Sequence, residues 1–239
     1  MNIITTIFNA LLYQPMLNIL IWLHGLTGSF GLAIILLTLL IKIILHPLNK
    51  KAIQSQAITA EIQPQLKEIQ TKYKDSPDKQ ASEMMALYKA KKFNPFSGFL
   101  VLIIQIPLLI ALFQVFKNGM NMAELSQWLY PFIAIPQSIN PLFLGIDLSL
   151  PNIFLAVLTA IAQYVQIKTS VPPAPKQKNG EKSDVDKMSQ MMQTQMAFIL
   201  PIVTFIVLFK LPAALGLYWF FTTVISIIEQ KLLLNKKNK

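Results

Sequence analysis

Lys42 interrupts the run FGLAIILLTLLIKIIL, residues 30–45, which is otherwise free of charge. A lysine near the middle of a membrane helix costs ~3 kcal/mol to insert on translocon scales, so a residue of this kind points to function. Thr38, Lys42 and His46 recur at i, i+4 and i+8 and therefore share one helix face. Lys42 precedes Lys50 by eight residues, which places it ~12 Å from that end of the helix at 1.5 Å per residue. A lysine side chain reaches about half that distance, so snorkelling alone is strained. The alternative is an ammonium facing a wet cavity inside the protein.

Other apolar segments carry matching polar stripes. Thr159, Gln163 and Gln166 share a face, and so do Trp219, Thr222 or Thr223, Ser226 and Glu229 or Gln230. Gln105, Gln114, Gln193 and Thr204 add to them. Taken singly, such residues serve helix packing. Aligned beside one cation, they describe a hydrophilic pocket in which Lys42, Thr38, Gln163, Gln166 and Thr222 are the candidate lining. No acidic residue lies deep in an apolar segment, and Glu229 sits near the end of the last one. The expectation is an unpaired Lys42 surrounded by water.

The pocket lacks the marks of an enzyme. There are two histidines, His24 and His46, at opposite ends of one segment, and no HExxH, GxGxxG, P-loop or GxSxG occurs. With no cysteine there is no thiolate site. No cofactor, metal or catalytic residue is expected. Five unequal spans with a large insert after the first also lack the paired halves of many carriers.

The elements that hold these residues follow from composition. The 239 residues are 54% hydrophobic and 13% charged, with mean hydropathy +0.50. That charge fraction is about half the ~25% of soluble domains, and the apolar blocks are long enough to cross a bilayer. The pattern predicts an all-α membrane protein with five transmembrane helices at about 27–48, 95–116, 151–168, 191–209 and 212–234, ending the first at His46-Pro47. Residues 1–26 carry no lysine or acid and are broken by Pro15 and several amides. An interfacial helix on the outer face is expected there, with a sixth span as the competing reading. The n-region and cleavage site of a secretory signal are missing from this stretch.

All 21 basic residues are lysine. Eighteen fall in the segments 49–94 and 168–190 and after Glu229, two (Lys117 and Lys210) in the alternate connections, and Lys42 lies between. The positive-inside rule puts the eighteen in the cytoplasm, with the N-terminus outside and the C-terminus inside. The net charge of +10 then reflects topology and anionic lipid rather than DNA. Within 49–94 a helical hairpin is expected, turning at Lys74-Asp75-Ser76-Pro77-Asp78, where Ser76 suits an N-cap and Pro77 the first helical position. Its second arm carries Met84 and Met85, and the hairpin reads either as a solvated pair resting on the membrane surface or as a docking arm whose methionines contact apolar clients or partner proteins. Residues 169–190 read as a flexible Pro/Lys/Gly-rich linker. The tail 235–239 offers contact to lipid headgroups and to ribosomal RNA.

In this order, GLAIILLTLLIKIILHPLNKKAIQSQ, EIQPQLKEIQTKYKD, EMMALYKAKKFNPFSGFLVLIIQIPLLIALF, QYVQIKTS and ILPIVTFIVLFKLPAALGLYWFFTTVISIIEQ resemble the YidC-type membrane protein insertases. The resemblance covers about 29–232. It implies a five-span core around a groove open to cytoplasm and lipid but closed outside. It implies an insertase and chaperone that needs no nucleotide hydrolysis. Nascent membrane proteins would be the clients, with membrane lipids, the Sec translocon and the ribosome as further partners. The family usually has arginine at the position of Lys42, so positive charge is kept here while a forked, bidentate donor is lost. Gln166 and Trp219 match the groove-lining glutamine and aromatic of the family, and Thr38 a polar position one turn from the charge. The reading from residues alone leaves a small ion- or solute-conducting membrane protein as the alternative.

Overall fold

The computed structural model describes residues 3–91, 93–94, 97–170 and 198–235. Most of the expected linker, the start of the expected fourth span with Gln193, and residues 236–239 of the tail lie outside the described residues.

The chain begins with α1 (Ile3–Phe8), a π-helical turn (Asn9–Tyr13) and α2 (Gln14–Thr27), which run on without a break. Gly28 ends this segment in the left-handed conformation, φ 65°, with its N–H on the His24 carbonyl at 2.8 Å. A residue with a Cβ is disfavoured there. Ser29 follows in extended backbone and caps the next helix, its hydroxyl accepting from the Leu32 N–H. Two residues thus turn α2 directly into α3 (Phe30–Lys72), against which it packs.

α3 is a single helix of 43 residues with Pro47 and Pro64 inside it. The helix therefore does not stop at His46-Pro47, where the first apolar block ends. A proline removes one N–H from the ladder and crowds the carbonyl four residues earlier, and this helix absorbs both and continues into the first arm of the hairpin. After Tyr73–Ser76 comes α4 (Pro77–Ala90). Ser76 occupies its N-cap position without a side-chain capping bond, and Pro77 opens it. A Lys91–Glu61 ion pair at 3.8 Å links the end of α4 to α3.

α5 (Ser97–Gly119) and α6 (Met122–Trp128) come next. The connection to α7 holds a small antiparallel hairpin, β1 (Leu142–Phe143) with β2 (Ile146–Asp147). Its two-residue turn takes positive φ at both Leu144 (51°) and Gly145 (79°), as a type I′ turn requires. α7 (Ile153–Ser170), α8 (Phe198–Leu208) and α9 (Ala213–Asn235) complete the fold. α9 lies between α7 and α3, and α5 packs on the other side of α3 with α2.

One end of this bundle is sealed. Leu17, Leu20, Phe30, Phe116, Leu125, Leu148 and Leu215 form part of one buried cluster. The backbone N–H groups of Ala213 and Ala214 donate to the carbonyls of Leu150 and Leu148, tying the start of α9 to the hairpin segment. Asn18 Nδ2 donates to the Trp128 carbonyl at 2.9 Å, while Asn18 Oδ1 accepts from the Tyr130 N–H at 2.6 Å. The Phe143 ring lies on Gly31, where any Cβ would overlap it.

The outer surface is apolar. Leu32, Leu36, Leu39, Ile43, Ile106, Ile110, Val157, Ile161, Ile202 and Ile206 all face outward. In water such a band would drive aggregation; in lipid it is the proper surface. Four segments among the described residues, Ile3–Thr27, Phe30–Thr59, Ile153–Ser170 and Ala213–Leu233, are long and apolar enough to cross a membrane by length and composition. The protein is a multi-pass membrane protein, helical among the described residues apart from one small hairpin.

Candidate functional site: a lysine cavity between four helices

Lys42 is 8% exposed, at the junction of α3 and α9. Its Nζ donates to Ser226 Oγ at 2.5 Å and lies 3.5 Å from Glu229 Oε2. The other carboxylate oxygen of Glu229 pairs with His46 Nδ1 at 2.7 Å. The expectation of a cation without a counter-ion is therefore corrected. Glu229 is its partner, clamped between two α3 side chains one helical turn apart.

The physical reason lies in side-chain length. α3 and α9 both start in the sealed core and run the same way. Lys42 is twelve residues into α3 and Glu229 sixteen into α9, or ~18 and ~24 Å along their axes. The ~6 Å difference is about the reach of an extended lysine. On α9, Ser226 and Glu229 are spaced i, i+3, which presents both to the i, i+4 pair on α3.

A cavity of about 180 Å³ adjoins the ammonium. Lys42 and Asn49 of α3, Gln105 of α5, Gln166 of α7 and Tyr218, Trp219, Thr222, Thr223 and Ser226 of α9 line it, with Ile41, Leu45 and Leu109. Such a space holds several water molecules and has polar groups to bond them. It is too narrow for a helix of ~10 Å diameter, so it suits a polar side chain or a short stretch of extended chain.

Four of the six expected pocket residues, Lys42, Gln166, Trp219 and Thr222, meet at this cavity. Thr38 does not. It is fully buried and returns its hydroxyl to the Ile34 carbonyl of its own helix at 2.7 Å, a packing role. Gln163 is also outside the lining, and its Oε1 is buried with no hydrogen-bond partner among the described residues. Thr159, at the start of the same stripe, bonds the Leu155 and Gly216 carbonyls and joins α7 to α9. Asn49, Gln105, Tyr218 and Glu229 were not in the expected set. Gln105 Nε2 donates to the Tyr218 hydroxyl at 3.3 Å, joining α5 to α9 at the cavity wall.

The profile of the 60Kd inner membrane protein family matches residues 22–239. The chain belongs to this family. Its relatives include a membrane protein insertase YidC from Cupriavidus taiwanensis, 33% identical over 226 residues, which are 92% of this chain and 35% of that protein. Another, from Chlamydia trachomatis, is 34% identical over 236 residues, 96% of this chain and 28% of that protein. A crystal structure of an active YidC insertase with its first transmembrane domain resolved superposes with TM-score 0.59 at 26% identity, over 95% of this chain and 46% of that one. The chain spans about a third of the length of these curated relatives.

Proposed function

We propose that this chain is a membrane protein insertase. The observation that carries the reading is a buried lysine beside a polar cavity of about 180 Å³, with the bundle sealed at one end. The names of its relatives agree with it.

Five spans, α3, α5, α7, α8 and α9, surround a groove that opens towards the lysine-rich cytoplasmic side. The N-terminus then lies outside and the C-terminus inside. The helix Ile3–Thr27 packs beside α3, and its Asn18 and Gln14 bond the Trp128 carbonyl at the sealed end of the bundle. The α3–α4 hairpin is the cytoplasmic arm that first meets nascent membrane proteins, and it gives the Sec translocon or a ribosome a place to dock.

The polar end of a client enters the groove, where Lys42, Gln166, Thr222 and Ser226 replace part of its water. Trp219 and the apolar walls guide the following segment. Gln163, one turn from Gln166, would bond a client once the chain is in place. The apolar segment of the client then partitions into lipid, gaining about 25 cal/mol for each Å² removed from water. That burial drives the process, so no bond is made or broken and no nucleotide is needed.

The test is reconstitution. The purified chain in liposomes should insert a short single-span client into a protease-protected position, and Lys42→Arg should retain this while Lys42→Glu loses it. A preparation that passes anions but inserts no client would refute the reading in favour of a conducting protein.

A further inference from the structure

Glu229 gives the site a property that a lone cation would not have. The ammonium has three N–H donors. Ser226 takes one at 2.5 Å. The Glu229 carboxylate stands at 3.5 Å, an ion-pair distance at which its Oε2 makes no hydrogen bond. Its other oxygen is held by His46 at 2.7 Å. The carboxylate is therefore anchored through His46 and only loosely engaged with Lys42. It occupies the neighbourhood that a carboxylate arriving in the cavity would need, yet it leaves donors on Lys42 free.

We propose that Glu229 is a specificity-determining residue, a resident carboxylate with which the acidic residues of an incoming chain must compete for Lys42. The proposal rests on the insertase reading above. With Glu229 in place, the net charge of the Lys42–Glu229 pair is zero, so an acidic segment gains little over a neutral one. Serine, threonine and amide groups can still use the free N–H donors and the lining amides. The structure thus favours clients whose translocated ends are neutral and polar. A groove with the same lysine and no acid would favour acidic ends. His46 fixes the position of the competitor, which keeps Glu229 beside Lys42 instead of letting it turn out to solvent.

The experiment compares two short clients that differ only in their translocated tails, one with two aspartates and one with two asparagines at the same places. Insertion into proteoliposomes is read as the ratio of acidic to neutral client. Glu229→Gln should raise that ratio about fivefold, the equivalent of an ion pair worth ~1 kcal/mol, and Glu229→Asp should leave it near that of the unaltered protein. An unchanged ratio in Glu229→Gln overturns the proposal. A second measurement needs no variant. A carbodiimide should join Lys42 to Glu229 in the unaltered protein, and the acidic tail peptide should suppress this cross-link at lower concentration than the neutral one. Equal suppression overturns the proposal even where Glu229→Gln does not fold. If the unaltered chain inserts neither client, the insertase reading fails, while the cross-link still reports on competition for Lys42.

Discussion

Replacing Lys42 by methionine keeps the apolar stem and removes the charge. At 3.5 Å and an effective dielectric constant near 20, the Coulomb attraction lost is ~5 kcal/mol. Desolvation of both ions offsets most of that attraction in the native protein. What remains after the substitution is a stranded carboxylate on Glu229, whose side chain is 13% exposed. Breaking a buried pair in this way costs about 3–5 kcal/mol when the survivor has no other partner. Glu229 keeps His46 at 2.7 Å, and His46 is half exposed, so the loss expected for Lys42→Met is smaller, ~2 kcal/mol. Glu229→Gln alone should cost ~1 kcal/mol. The double variant should cost no more than Lys42→Met alone, because nothing charged is left stranded. The coupling between the two sites is then ~1 kcal/mol or more. Reversible unfolding in mixed micelles, read by tryptophan fluorescence for all four proteins, measures it. Effects that add to within ~0.4 kcal/mol would mean that the pair has no energetic coupling, and the account of the site would be wrong.

Asn18 donates to the Gln14 and Trp128 carbonyls and accepts from the Tyr130 N–H while nearly fully buried; Asn18→Leu should cost ~2–3 kcal/mol by stranding that N–H, and unfolding with an unchanged midpoint would refute the tie. Gly31→Val should displace the Phe143 ring from α3 and lower thermal stability, and Phe143→Ala should recover part of the loss; a Gly31→Val protein as stable as the original would refute the close approach. The Ser149 hydroxyl and N–H both donate to Asp147, holding its carboxyl below the usual aspartate range. A carboxyl whose folded pKa is depressed adds stability that is present above the unfolded pKa and lost as pH falls through the folded one, and the contribution is small because solvent screens this exposed group. A carboxyl NMR titration should find Asp147 low and Ser149→Ala closer to the usual range; equal values would refute the pair.

Much of the architecture is legible from hydropathy, because the apolar blocks around α3, α5, α7 and α9 are long and their boundaries carry Pro, Gly or Lys. The anomaly at Lys42 also marks the site, and the stripes containing Gln166 and Thr222 point to it. The differences have physical origins. Pro47 ends an apolar block but not the helix, because one lost hydrogen bond is a small part of a 43-residue ladder held by packing on both sides. Glu229 looks too shallow to partner Lys42 when depth is counted along backbones alone, since that ignores two side chains leaning towards each other. Thr38 shares the face of Lys42 but points its hydroxyl at its own helix, a choice that periodicity does not register. The hairpin at Leu142–Asp147 lies in an apolar stretch with one glycine as its only turn signal.

The continuity of α3 joins two jobs in one rod. From Asn49 to Lys72 it extends 23 residues past the cavity, an arm of ~35 Å. Tilting that arm by about 10° carries its tip ~6 Å, roughly one helical turn. Pro47 lies between arm and bundle, and its missing N–H leaves the Ile43 carbonyl unbonded within the helix one residue from Lys42. The joint and the charge are thus neighbours. A load applied at the tip, where α4 folds back, would bend α3 beside the lysine. The chain needs no separate element to connect the arm with the cavity.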